Sequence, residues 1–230
     1  MRPAKRTLLW VILLAAVGGI SYGLGWSNLF QVKVVAISGS THQAAINEKL
    51  AAAGISLHMG ERMARVDVQA VDRVISSIDW IARVSISRNW LSGKVGIALR
   101  EKVAVAGFAG SDGTMQFFDA AGNIFHSPDS LSALPSVTFA NQDQPSRQAA
   151  ATLIAELPSD LRGTLLSLHV SSLQSLVMTS SVVAPSVEIN WGDSSAIAIK
   201  AKVLRALLAL PENKKVRAID LSQPSNPTAK

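Results

Sequence analysis

At 230 residues, 48% hydrophobic and only 17% charged, the chain is too apolar to stay disordered and long enough to bury one or two cores. Of its net charge of +6, Arg2, Lys5 and Arg6 account for half, and the remaining surplus is too thin to make a nucleic-acid-binding face. The absence of cysteine excludes a disulfide framework, so packing must hold the fold.

The mean hydropathy of +0.28 is high for a soluble domain, and the cause is local. From Thr7 to Val32 no residue is charged, and residues 7–26 suffice to cross the hydrocarbon as one helix. Trp10 at one end and Tyr22 and Trp26 at the other suit the headgroup level. The basic residues of the 1–6 tail predict a cytoplasmic N-terminus, with everything after the 27–30 linker outside. A cleaved signal peptide fits less well, because its apolar region is shorter and Gly23-Leu24-Gly25-Trp26-Ser27 lacks a small-x-small site. Ala15, Gly19 and Gly23 recur every four residues and form a stripe on which another membrane helix can pack, although glycine is common in such helices anyway.

Gln31 to Ser38 alternates apolar residues and ends at Gly39-Ser40, which predicts a strand. Ser40 and Gln43 have capping-box spacing before a helix carrying Ile46, Leu50 and Ala53, closed by Gly54. Asp67 is placed to cap a second helix with Val71, Val74, Ile75 and Ile78 on one face. Two alternating segments follow, through Ala82, Val84 and Ile86 and then Val95, Ile97 and Leu99, joined by the loop 89–93. The predicted order over 31–102 is β-α-α-β-β.

The region 103–222 reads as a mostly antiparallel β-domain with flanking helices. Turn signals at 111–114 and 121–123 bracket a strand at Met115 to Asp119, and the Ser- and Pro-rich stretch 127–135 predicts a loop. Ser146 is the expected cap of a helix with Ala149, Ala150, Leu153, Ile154 and Leu157 inward, stopped by Pro158. Strands are predicted at Thr164 to Val170, Leu176 to Thr179 and Val187 to Trp191. After Gly192-Asp193-Ser194 comes a helix with Val203, Leu204, Leu207 and Leu208 inward and Lys200, Lys202 and Arg205 reaching water, ended by Pro211. A last strand over Val216 to Leu221 is expected to leave a loose tail at 223–230, where Pro224 and Pro227 forbid a central ladder.

No catalytic constellation emerges. His42, His58, His126 and His169 are scattered with no H-E-x-x-H, no serine has lysine three residues on, and no G-x-S-x-G is present. No catalytic, metal or cofactor residue is therefore expected. Asp220, between apolar neighbours in its strand, is the one carboxylate expected to be paired, most simply with the backbone.

The β-α-α-β-β order directly after a membrane segment resembles a POTRA domain. Further, residues 30–40, Asp79-Trp80-Ile81, Arg88-Asn89-Trp90 and the run Arg100 to Ala106 resemble the bacterial cell-division family FtsQ/DivIB, as does the closing helix followed by Val216-Arg217-Ala218-Ile219-Asp220-Leu221. Asp79 and Leu91 depart from the family, which often has proline there; Trp80 and Trp90 read as core packing and a loop anchor. The resemblance implies an essential, non-catalytic divisome scaffold in the plasma membrane, enriched at the septum. It implies binding of FtsB/DivIC and FtsL type proteins around the last helix and strand, and a part in controlling septal peptidoglycan synthesis.

On physical grounds a terminal strand offers a free edge, and unpaired main-chain groups of Val216, Arg217, Ala218, Ile219, Leu221, Ser222 and Gln223 are expected to accept a partner strand. Lys200, Arg205, Lys214 and Lys215 are expected to favour an acidic partner, although such residues commonly serve solubility alone. Two rival readings are an envelope transport accessory and a subunit of an envelope enzyme; the first normally brings a barrel, for which long alternating strands are missing after Gly107.

Overall fold

A computed structural model describes residues 10–19, 22, 30–129, 131 and 133–230. Residues 10–19 are helical (α1), with every side chain exposed, including Trp10, Leu13, Leu14 and Val17. Among the described residues no helix is long and apolar enough to cross a membrane. The expected span 7–26 falls in part outside the described residues, as does Gly23 of the small-residue stripe. Ala15 and Gly19 lie on α1.

Contacts divide the chain between Glu101 and Lys102 into two units. The first contains β1 (Val34–Ser38), α2 (Gln43–Ala52), α3 (Val68–Ser76), β2 (Ile81–Asn89) and β3 (Lys94–Glu101). Its sheet runs β1-β3-β2, parallel for β1 with β3 and antiparallel for β2 with β3. The period-two pattern of β3 puts Val95, Ile97 and Leu99 in the core, where α2 contributes Ile46 and Leu50 and α3 contributes Val71 and Ile75. Each such side chain contributes about 1.5–3 kcal/mol by leaving water.

Local chemistry explains the ends of these helices. Asp67 caps α3 as expected, its carboxylate accepting from the Ala70 N–H at 2.9 Å. The capping box on α2 does not form. His42 is the residue before the helix, Ser40 Oγ accepts from the His42 N–H, and the Gln43 amide is drawn to the Ile37 carbonyl at 3.2 Å. Trp80 is buried edge-on to His42, and Trp90 packs beside Phe30 under the Arg88 guanidinium, so both tryptophans serve packing.

The second unit is a nine-stranded sheet in the order β12-β11-β10-β9-β8-β7-β4-β5-β6. Its strands are β4 (Ala106–Ala109), β5 (Met115–Phe118), β6 (Ile124–Phe125), β7 (Ser136–Phe139), β8 (Leu165–Ser172), β9 (Ser175–Ser180), β10 (Val187–Gly192), β11 (Ala218–Asp220) and β12 (Thr228–Ala229). The helices are α4 (Gln144–Glu156), α5 (Ser159–Arg162) and α6 (Ile197–Ala209). Antiparallel pairings outnumber parallel ones, and the parallel pairs β7–β8 and β10–β11 arise where α4 with α5, and α6, carry the chain back across the sheet. The fold is thus α+β, with one core joining Leu153 and Ile154 of α4, Leu204 of α6, and Leu168, Met178, Ile189 and Trp191 of the strands.

The cap of α4 is Asp143, not Ser146; its carboxylate accepts from the Ser146 N–H at 2.9 Å, and Pro145 occupies the first turn, where no N–H is needed. Ser146 is itself buried inside the helix.

Candidate interaction site at the C-terminal strands

The C-terminal strands are positioned by the end of β10. Gly192 has φ +69°, and a Cβ there would stand 2.9 Å from the Cα of Ser222, so only glycine lets β10 pass beneath the end of β11. The chain then turns through Asp193, whose Oδ1 accepts from the Ser195 N–H at 3.1 Å and the Ser195 hydroxyl at 2.7 Å, before Ala196, at φ +50°, leads into α6.

Lys200 corrects the sequence reading. Amphipathic spacing assigns it to water, yet it is 2% exposed. Its ammonium donates to the carbonyls of Trp191 (2.7 Å) and Asp193 (3.0 Å) and to Asp193 Oδ1 (2.7 Å), which uses all three of its protons. A buried cation so satisfied fastens the first turns of α6 to the end of β10 and has nothing left to offer a partner.

Hydrogen bonds from Lys200 and then Ser195 hold the Asp193 carboxyl at about 2, well below its ordinary 3.8. A depressed acid stabilises the fold above its unfolded pKa, and that stability is lost as pH falls through the folded value. The window is therefore pH 4 down to 2. Because the Asp193 side chain is 50% exposed, solvent screening reduces the contribution to about 1 kcal/mol. Urea unfolding should show wild type ahead of Asp193→Asn by that amount at pH 6, with the gap closing towards pH 2; a gap independent of pH would refute the assignment.

Arg205 lies on the exposed side of α6 in a two-pronged pair with Asp160 of α5, at 2.7 and 3.0 Å. This pair lowers the Asp160 pKa, first through the Arg205 hydrogen bond. After Pro211 a short 3-10 turn, Pro211–Lys215, presents Lys214 and Lys215 to solvent. Val216, Ile219 and Leu221 are buried, so only their main chain faces outward; Arg217, Ala218 and Gln223 are exposed and Ser222 half-buried. Asp220 is paired as expected, chiefly with Ser222, whose N–H reaches Oδ1 at 2.8 Å, while Asn190 donates to Oδ2 at 3.2 Å; its pKa is lowered accordingly.

The expected free edge is the second correction. β11 pairs in parallel with β10 on one side, and on the other it is covered by the tail. The N–H groups of Arg217 and Ala218 donate to the Lys230 main-chain oxygen at 2.7 and 3.1 Å, and the Lys230 N–H returns a bond to the Ala218 carbonyl at 2.9 Å. The segment 223–230 is therefore not a loose tail. It turns back at Gln223, whose carbonyl accepts from Asn226 N–H at 2.9 Å, and contributes β12. No sequence period could reveal a two-residue strand behind two prolines; the pairing is purely non-local.

Among the described residues no group of His, Asp or Glu side chains converges to hold a metal ion. The C-terminal strands form a main-chain ladder, with β11 paired on both sides, beside an exposed basic turn.

A three-stranded sheet with two helices, followed by a large mixed sheet ending in such a ladder, defines a POTRA-bearing protein; residues 30–102 match the family described as POTRA domain, FtsQ-type. Along nearly its whole length the chain is similar to the "Cell division protein FtsQ" of Streptomyces bingchenggensis, at 28% identity covering 98% of this chain and 86% of that one. It is likewise similar to the protein of that name from Streptomyces venezuelae, at 26% identity covering 99% and 84%. The chain thus contains an FtsQ-type POTRA domain and is similar to two cell-division proteins along nearly its whole length.

Proposed function

We propose that this is a membrane-anchored, non-catalytic scaffold of bacterial cell division, which binds other division membrane proteins of the FtsB/DivIC and FtsL type and helps control septal peptidoglycan synthesis. The observation that carries the reading is the likeness to two cell-division proteins over 98% and 99% of the chain, beginning with the matched POTRA segment. In this reading residues 7–26 cross the plasma membrane once with the N-terminus cytoplasmic, and the POTRA domain (31–102) and the β-domain, which the C-terminal strand extends to 230, stand outside, enriched at the septum. The exposed apolar side chains of α1 support the anchor, since no described residue buries them.

Partners dock, in this proposal, at the exposed face of α6, the Pro211–Lys215 turn and the paired C-terminal strands β11 and β12. Of the basic residues there, Lys200 is consumed internally and Arg205 is paired with Asp160, which leaves Lys202, Lys214, Lys215 and Arg217 as the charges that select an acidic partner. Depleting the protein should give long undivided cells; normal division would end the proposal. Within the site, Ala218→Pro removes an N–H on the outer side of β11 while leaving β10 and the first unit untouched. Co-purification of the partner should fall at least about tenfold, the loss of one or two main-chain bonds. Undiminished recovery would mean that β11 is not the contact.

A further inference from the structure

We propose that the end of the POTRA domain at which the chain arrives from the membrane is a lipid-docking surface: Leu91 and Met59, at the tips of two loops, enter the headgroup layer of an anionic phospholipid bilayer, and basic side chains around them meet its phosphates. The proposal rests on the reading that residues 7–26 span the membrane, and adds that the folded domain is held against that membrane rather than hanging from it.

Two loops share this end. The sheet register brings together the start of β1, the start of β3 and the end of β2, with Val34 and Asn89 both opposite Lys94. The entering chain is bonded to each loop in turn. Val32 donates its N–H to the Glu61 carbonyl and accepts from the Gly60 N–H, both at 2.8 Å, and the Lys33 N–H donates to the Gly93 carbonyl at 2.7 Å. Loops 53–62 and 90–93 therefore both lie beside residues 31–33.

The loop tips are apolar and bare, while their bases are firm. Leu91 is 92% exposed and Met59 77%, the highest values for any large hydrophobic side chain among the described residues. One such residue on a surface is ordinary, but two at the end where the chain comes from the bilayer are not. Behind them Val32, Met63, Val66 and Val95 form a buried cluster against which Leu57 and Trp90 pack, and Trp90 meets Phe30 edge-on at 6.0 Å. The tips are thus already ordered, which lowers the cost of docking.

Chain length brings this end to the lipid. The linker 27–30, fully extended, spans at most about 14 Å, and the headgroup layer takes up about 5–7 Å of it, so residue 31 stays within about 10 Å of the lipid surface. The tether makes docking intramolecular, at an effective concentration in the millimolar range, so a small contact is enough.

The charge selects an anionic surface. Segments 31–33, 56–66 and 88–94 carry Lys33, Arg62, Arg65, Arg88 and Lys94 against Glu61 as the one acid. Asp67, just beyond, is committed to the cap of α3. Lys33, Arg65, Arg88 and Lys94 are exposed, and Arg88 is held at this end by donating to the carbonyls of Met63 and Val66. Each basic side chain at an anionic leaflet favours the docked state about fivefold.

The test uses the full chain, which has no cysteine of its own, in vesicles of phosphatidylcholine with or without phosphatidylglycerol. A small environment-sensitive fluorophore on Leu91→Cys reports insertion through quenching by lipids spin-labelled along their acyl chains. Ala82→Cys, exposed at the start of β2 and so at the opposite end of the sheet, is the control. With phosphatidylglycerol, quenching should be strong for Leu91→Cys and absent for Ala82→Cys. Adding Lys33→Gln or Lys94→Gln should lower the docked-to-undocked ratio about fivefold. In the unlabelled chain, amides of 57–60 and 90–92 should exchange more slowly with phosphatidylglycerol than without it, and Met59→Asn with Leu91→Asn should abolish the difference.

A vesicle-bound chain in which Leu91→Cys is quenched no more than Ala82→Cys overturns the proposal. Quenching that is the same without phosphatidylglycerol, and unmoved by Lys33→Gln, overturns the anionic partner. Failure of the spanning reading looks different: the chain would not float with the vesicles at all, and the proposal would fall with its anchor.

Discussion

Gly39→Ala should unfold the first unit while leaving the second intact. Gly39 ends β1 with φ +82°, and a Cβ there would stand 2.0 Å from the Leu99 carbonyl oxygen, a main-chain atom of the central strand β3. The left-handed backbone alone costs an alanine about 1–2 kcal/mol. The clash adds more, because it can be relieved only by parting β1 from β3, whose register pairs Ser38 with Ala98. A total loss of about 4–5 kcal/mol would consume most of a small domain's stability.

Gly54→Ala provides the control. Gly54 also has positive φ, +71°, but nothing stands within 4 Å of its would-be Cβ, so it should lose only about 1 kcal/mol. Hydrogen exchange read by peptide separates the outcomes: in Gly39→Ala the amides of β3 should lose protection while those of β8 to β10 keep theirs. Full protection of β3 would show that the turn relaxes at little cost.

Lys200→Ala is the second large effect, and it falls on the other unit. Truncation leaves the carbonyls of Trp191 and Asp193 without their donor, removes the apolar stem from the core, and strips Asp193 of its cation. Breaking a buried pair from one side costs about 3–5 kcal/mol, and the half-exposed Asp193 can recover water, so about 3 is expected. Lys200→Met keeps the stem and should lose about half as much. Urea unfolding of the second unit should rank wild type, Met and Ala in that order. Equal stability of all three would mean that the ammonium contributes nothing, and equal losses in both variants would mean that the stem contributes nothing.

These two sites differ in how far the sequence revealed them. Gly39-Ser40 after an alternating run is a turn signal, so the position was legible, although the approach of Leu99 was not. Lys200 was misread for a physical reason. Helical periodicity assigns each residue a side of the cylinder but not what lies against that side; at Lys200 the end of β10 and the Asp193 turn lie there and supply three oxygens. The cap of α4 went astray similarly: Ser146 and Asp143 are both good capping residues, and which one closes the helix depends on where Pro145 enters its first turn.

The residue pattern by itself determined what depends on near neighbours: the alternation that makes β3 and β10 strands, the spacing that gives α3 its buried face, the Asp67 cap, and the order of elements that resembles a POTRA domain. Those follow from the periods 2 and 3.6 and from hydrogen bonds spanning three or four residues. Only the tertiary structure decided that the last strand of any length is not an edge. Ala218 meets Lys230 across a proline-broken turn that carries no period, and three hydrogen bonds between main-chain atoms, which every residue possesses, leave no trace in the identity of the side chains.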